Sequence, residues 1–321
     1  MAVAVIVLIV GFVLLVKGAD FFVDGAAAFA KKLRVPGFII GMTVVAMGPS
    51  APECAVSITA SLRGSNGMAI SNVIGSNVFN LLVVCGVCAL FMPLAIEKKT
   101  LKREFPFSVF AAVLLLALGA VDMTVGHVDG VIMLGIFVVF LVWMVMSARK
   151  AMQNGEEPES EEIRELSGLR CVLYMAGGVA AIVVGGQLVV NSAETIALGF
   201  GMSETLVGLT ICSIGTSLPE LVTSVVASRK NQACMALVNV ICSNIFNILL
   251  VGGLASAISP IAVTTNNLID LIFLVAISVY IMLLVWKRQE LRRGGGISIL
   301  AIYAVYMVYI CVRDTGVLFI S

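Results

Sequence analysis

Apolar runs of membrane-spanning length recur along the whole chain, each closed by a short polar or turn-rich break. A helix needs about 20 residues to cross the hydrocarbon core of a bilayer. The breaks divide the sequence into ten candidate helices, at 2–29, 36–62, 67–93, 105–122, 127–147, 170–198, 204–228, 233–258, 267–287 and 296–314. The longest polar stretch, SARKAMQNGEEPESEEIRELSG at 147–168, is rich in glutamate and contains Pro158. It reads as a solvated linker between two groups of five spans. The pattern predicts an all-α integral membrane protein of about ten transmembrane helices.

Composition agrees. Hydrophobic residues make up 60% of the 321 and charged residues 12%, against about 25% charged in a soluble domain. The apolar stretch from Met1 to Val16 has neither a basic leader nor a convincing cleavage site, so it is expected to be a retained span. A net charge of +1 without a basic block of interleaved aromatics gives no reason to expect a nucleic-acid partner. The eight cysteines sit mostly in apolar segments and make no disulfide framework. Cys85 and Cys88 form a CxxC, but on a membrane helix they read as small packing residues.

Charge then sets the orientation. With the N-terminus outside, the loops on the inner side collect 17 of the 20 Lys and Arg, and only Arg63 and Arg313 fall outside. Basic residues concentrate on the cytoplasmic side, so both termini are expected to face out and the linker to face the cytoplasm.

The chain also repeats itself. Adding 167 carries Gly48, Ser50, Pro52 and Glu53 onto Gly215, Ser217, Pro219 and Glu220. The same offset aligns NVIGSNVFN (72–80) with NVICSNIFN (239–247), identical at seven of nine positions, and Pro93 with Pro260. This is a duplication: a first repeat over 1–148, an acidic linker over 149–169 and a second repeat over 170–321. Five spans is an odd number, so the second copy is expected to enter the membrane upside down. Inverted repeats with interrupted helices at corresponding places characterise secondary transporters.

GPSAPE and GTSLPE place helix breakers and a glutamate in the middle of the second and seventh spans. Proline removes a helix hydrogen bond, and in a bilayer the freed backbone must be satisfied by protein, water or an ion. Each glutamate would begin the following half-helix, where the dipole favours negative charge. Burying a carboxylate at mid-membrane still costs about 3 kcal/mol on insertion scales, and it happens twice. Helical spacing adds Ser57 beside Ser50 and Glu53, and Ser224 beside Ser217 and Glu220. The third and eighth helices contribute Asn72, Ser76, Asn80 and Asn239, Ser243, Asn247. Carboxylates, hydroxyls, amide oxygens and carbonyls form a hard-oxygen set suited to Ca²⁺ or Na⁺. The sole histidine, His127, reads as an outer-loop residue near Asp122 and Asp129. No histidine or lysine base accompanies the serines, which speaks against hydrolase chemistry.

At these residues the chain resembles the sodium/calcium exchanger family, within the cation/calcium exchanger superfamily. The motifs GPSAPE…NVIGSNVFN and GTSLPE…NVICSNIFN stand where that family has its two alpha repeats, about 36–93 and 204–258 here. The resemblance covers essentially the whole chain and points to the compact prokaryotic branch. It implies electrogenic exchange of Na⁺ for Ca²⁺ by alternating access, with the first and sixth spans as a mobile pair. By motif position, Glu53 and Glu220 match the central carboxylates, and Ser50, Ser217, Ser76 and Ser243 the flanking ligands. Thr216 matches a hydroxyl and carbonyl ligand and Asn80 the amide at the site. Ala46 and Ser213 fall where the family supplies backbone carbonyls. Two positions depart from the pattern: Pro49 stands where threonine is usual, and Asn247 where many members have aspartate. The formal site charge is then −2, and H⁺ is the rival counter-ion to Na⁺. The resemblance further implies the cytoplasmic membrane of a prokaryote, with transported ions and lipid as partners and no cofactor; a monomer is compatible with it, and the oligomeric state stays open. A passive cation channel is the reading from outside this class.

Overall fold

The structure, a computed structural model, describes residues 2–33, 47, 48, 50–96, 98–153, 166–229 and 233–314. It is almost wholly helical. In chain order the helices are α1 (Ala2–Lys32), α2 (Ala51–Leu62), α3 (Asn66–Phe91), α4 (Glu104–Asp122) and α5 (His127–Gln153). After the linker come α6 (Gly168–Phe200), α7 (Glu204–Thr216), α8 (Leu218–Arg229), α9 (residues 233–258), α10 (Thr265–Trp286) and α11 (Arg293–Asp314).

Among the described residues, eight helices are long and apolar enough to cross a membrane. The expected spans missing from that set are 36–62 and 204–228, the two that carry the proline motifs. Residues 36–46 lie outside the described residues. The 204–228 span is interrupted at Ser217, which separates α7 from α8. Proline explains why the helix restarts there, since Pro52 and Pro219 occupy the first turn of α2 and α8, the one part of a helix that tolerates a missing N–H.

α3 and α9 form the centre and are buried along most of their length. α1 and α6 lie at the edge, packed on each other. Gly11 faces Gly185 and Val189, Gly18 faces Gly178 and Ala181, and Gly25 faces Cys171 and Tyr174. The numbers rise on one helix as they fall on the other, so the pair is antiparallel. A Cβ on Gly18 would come within 2.9 Å of the Gly178 carbonyl oxygen, so these backbones meet as closely as small residues allow. The outer faces of both helices expose valine and isoleucine, among them Val3, Ile6, Val10, Val172 and Val183, as a lipid-facing surface requires.

Two short antiparallel ribbons tie the copies together. β1 (Leu94–Ala95) pairs with β4 (Glu290–Leu291), and β2 (Thr124–Val125) with β3 (Ile261–Ala262). The 167-residue offset carries one ribbon onto the other to within a residue. One buried ion pair joins α10 to α11: Arg313 donates to both oxygens of Asp270, at 3.0 Å each.

His127 is not a loop residue. It is the first residue of α5, with Nδ1 2.8 Å from the Ala257 carbonyl oxygen. Asp129 accepts the Gly126 N–H at 2.8 Å, and that bond at the N-terminal end of α5 fixes the start of the helix just before the histidine.

Candidate functional site

Ser50 and Ser217 occupy the points where helix direction is reset. Their backbones, at φ −86°, ψ 4° and φ −88°, ψ 7°, lie in the sparsely used bridge region. A serine ahead of a helix commonly caps its own N-terminus, but Ser50 makes no side-chain cap. Its hydroxyl donates across the repeat to Glu220 Oε1 at 2.8 Å, and Ser217 donates to Glu53 Oε1 at 2.8 Å. Each copy of the motif therefore holds the other copy's carboxylate. All four residues are fully buried.

The remaining ligand types surround this cross. Thr216 Oγ1 lies 3.5 Å from Asn72 Oδ1 and 3.4 Å from the Ser213 carbonyl oxygen. That carbonyl also accepts the Ser217 N–H at 3.1 Å, so an ion could use it only if Thr216 turned away. Asn72 donates to Ser57 at 3.0 Å, and its counterpart Asn239 to Ser224 at 3.4 Å. α3 and α7 meet closely here: a Cβ on Gly75 would lie 2.9 Å from the Leu209 carbonyl oxygen.

Asn80 and Asn247 each begin a π-helical turn, Asn80–Val84 and Asn247–Gly252. Such turns alter which side chains share a face and recur at functional sites. The turn after Asn80 packs on α8, which carries Glu220, and the turn after Asn247 packs on α2, which carries Glu53. The exchange between copies is the same as for the serines.

Of the residues singled out from sequence, Ser50, Glu53, Ser217 and Glu220 are joined directly, and Thr216 and Ser213 adjoin them. Ser76, Asn80, Ser243 and Asn247 are buried on the elements that pack around the two glutamate helices. Ala46 and Pro49 lie outside the described residues. Sequence reading passed over Asn77 and Asn244. Asn80 Nδ2 donates to Asn244 Oδ1 at 3.3 Å, and Asn244 Nδ2 to the Asn77 carbonyl at 3.4 Å. The signal was present, because the same 167-residue offset relates Asn77 to Asn244.

Glu53 Oε2, Ser76 Oγ, Asn80 Oδ1, Ser243 Oγ and Asn247 Oδ1 are buried and have no hydrogen-bond partner among the described residues. Each such atom costs about 1–3 kcal/mol, and native interiors rarely tolerate several together. A hard cation accepts oxygen ligands of all these types, so the donor set fits one. No group of three or more His, Cys, Asp and Glu side chains occurs among the described residues.

Fold and site together define a polytopic α-helical membrane protein with a buried oxygen-rich centre drawn from two copies of one motif. The sequence model of the sodium/calcium exchanger protein family matches residues 3–146 and 171–312, and the chain belongs to that family. It is 43% identical to CaxA of Alkalimonas amylolytica over 263 residues, 81% of this chain and 82% of the relative. It is 31% identical to the sodium/calcium exchanger MaX1 of Methanosarcina acetivorans, covering 94% of this chain and 97% of that one. Among solved structures it is similar to the sodium-calcium exchanger NCX_Mj, with a TM-score of 0.66 and 30% identity over 96% of this chain and 98% of that one.

Proposed function

We propose that this protein is a secondary active antiporter that exchanges Ca²⁺ for Na⁺ by alternating access. The observation that carries the reading is the crossed Ser50–Glu220 and Ser217–Glu53 arrangement at the buried centre. Two ionised glutamates supply the charge that one Ca²⁺ neutralises. Monovalent cations compete for the same oxygens, and mutual exclusion at one site is the physical basis of exchange. The ligand set would be Glu53, Glu220, Ser50, Ser217, Thr216, Ser76, Ser243, Asn80 and Asn247, with the Ala46 and Ser213 carbonyls.

The antiparallel pairing of α1 with α6 supports an inverted relation between repeats over 1–148 and 170–321, since these are the first helices of the two copies. MaX1 and NCX_Mj are named sodium/calcium exchangers, and the NCX_Mj crystals were soaked with Na⁺ and Sr²⁺. The relative YrbG of Escherichia coli, 35% identical over 94% of both chains, is named an inner membrane protein. That supports placement in a prokaryotic cytoplasmic membrane.

A second reading keeps the antiporter and replaces Na⁺ by H⁺. It is favoured by the amide at Asn247, which leaves only the two glutamates as charged ligands in the proposed set. ⁴⁵Ca²⁺ flux into proteoliposomes, with Na⁺ and H⁺ gradients imposed separately, decides between them. An outward Na⁺ gradient should drive uptake and move net charge; uptake driven by a pH gradient and indifferent to Na⁺ would establish the proton antiporter instead.

A further inference from the structure

α1 touches the rest of the protein sparingly. Apart from α6, it packs mainly on α2 and on Ser213–Thr216 at the end of α7. Phe12 reaches that second segment at Gly215. A Cβ placed on Gly215 would lie 2.6 Å from Phe12 Cε2 and nearer still to Cζ and Cε1. The tip of the ring therefore stands on the bare Cα of Gly215, and only glycine admits it. Gly215 immediately precedes Thr216 and Ser217, whose hydroxyls reach Asn72 and Glu53.

At the corresponding position the other copy has valine. The 167-residue offset carries Gly11 and Gly18 onto Gly178 and Gly185, so α1 and α6 share one register. Phe12 then corresponds to Val179, which is 46% exposed on the outer face of α6. By this offset the half-buried aromatic of α1 has an exposed aliphatic counterpart on α6.

We infer that Phe12 is the gate on the α1 side of the site: its ring, seated on Gly215, seals the flank of the second motif, and movement of α1 unseats it. This rests on the antiport reading, because a seal matters only to a site exposed alternately. Gly215→Ala should act through the same contact as Phe12→Ala, since a methyl group on Gly215 occupies the seat and forces the ring out.

The test uses Phe12→Ala, Phe12→Leu, Gly215→Ala and the Phe12→Ala/Gly215→Ala double variant in proteoliposomes loaded with ⁴⁵Ca²⁺. The outside medium is choline-based, free of Na⁺ and Ca²⁺, and at the internal pH. Wild type should retain the tracer. Phe12→Ala and Gly215→Ala should each leak about tenfold faster, and the double variant no faster than either, as expected for two changes that remove one contact. Phe12→Leu should lie between. A second readout does not depend on transport. Cys212 is fully buried one turn before Gly215, and in a variant retaining only that cysteine its labelling by a small thiol reagent should rise about tenfold with either substitution. Additive leaks, or a Phe12→Ala protein as tight and as protected at Cys212 as wild type, overturn the gate. If Gly215→Ala does not fold, the two Phe12 variants decide alone. If wild type moves no Ca²⁺ under any gradient, the antiport reading fails, and Cys212 labelling still reports whether Phe12 seals the site.

Discussion

Ser217 Oγ lies 2.8 Å from Glu53 Oε1, a bond between residues 164 apart in sequence and in different copies of the repeat. Its mirror, Ser50 to Glu220, has the same length. Each carboxylate accepts a serine hydroxyl from the other motif, so the two halves are coupled through the site itself. A buried hydrogen bond to a charged group contributes about 1.5–3 kcal/mol. Ser50→Ala and Ser217→Ala should therefore each weaken apparent Ca²⁺ affinity about ten- to a hundredfold, read from the concentration dependence of ⁴⁵Ca²⁺ uptake. The reciprocity predicts similar losses; a serine whose removal is neutral is not part of the site.

Asp270 and Arg313 bear on stability rather than transport. Asp270 is fully buried and Arg313 nearly so, and both arms of the guanidinium are used. The next residue, Asp314, accepts the Ser203 N–H at 3.2 Å and its hydroxyl, so the end of α11 also anchors the start of α7. Removing one partner strands a buried charge, at a cost of about 3–5 kcal/mol. Arg313→Ala should lower the thermal midpoint in detergent clearly, whereas Asp270→Leu combined with Arg313→Met should cost less than either single change. Equal midpoints for Arg313→Ala and wild type would mean that this pair holds nothing.

Most of the candidate site is legible in the sequence because duplication doubles every signal. A glutamate beside proline in an apolar run is ambiguous once; at the same offset as a second one, with serines and asparagines aligned around it, it marks a centre. What escaped lacked local pattern. Asn77 sits one residue past Ser76, off the face on which Asn72, Ser76 and Asn80 were aligned, so helical spacing passed over it. Arg313 reads as a charge at the end of a span, and its partner is 43 positions away. Two-residue strands such as Leu94–Ala95 are too short to alternate, and nothing in the hydrophobic period announces the π turns at Asn80 and Asn247.

Orientation is predicted from charge and from the expected odd number of spans per repeat. With 17 of the 20 Lys and Arg on one side, the linker at 149–168 should face the cytoplasm, while both termini and the Gly64–Asn66 turn face out. Single cysteines placed in each segment and labelled in intact cells with a membrane-impermeant reagent provide the check. Reaction at 64–66 without permeabilisation, and at 149–168 only after it, is the expected pattern; a linker labelled from outside would overturn the inverted arrangement.

The sharpest expectation concerns the glutamates. Glu53 and Glu220 are fully buried, lie in the first turns of α2 and α8, and are reached by serines of opposite repeats. If together they neutralise a dication, replacing either with glutamine leaves one negative charge against two positive ones. At about 4 Å and an effective dielectric near 20, a unit charge pair is worth about 4 kcal/mol, so even half of one carboxylate's attraction to a dication corresponds to roughly a thousandfold in affinity. Glutamine preserves size, helix geometry and an oxygen able to accept the serine hydroxyl, so loss of transport would be electrostatic rather than structural. Glu53→Gln and Glu220→Gln should therefore each abolish Ca²⁺ flux while leaving expression and thermal stability in detergent close to wild type. Glu204, exposed at the start of α7, serves as the control and should tolerate the same change. Normal Ca²⁺ transport by either motif variant would make its carboxylate a structural hydrogen-bonding group and remove it from the ion site.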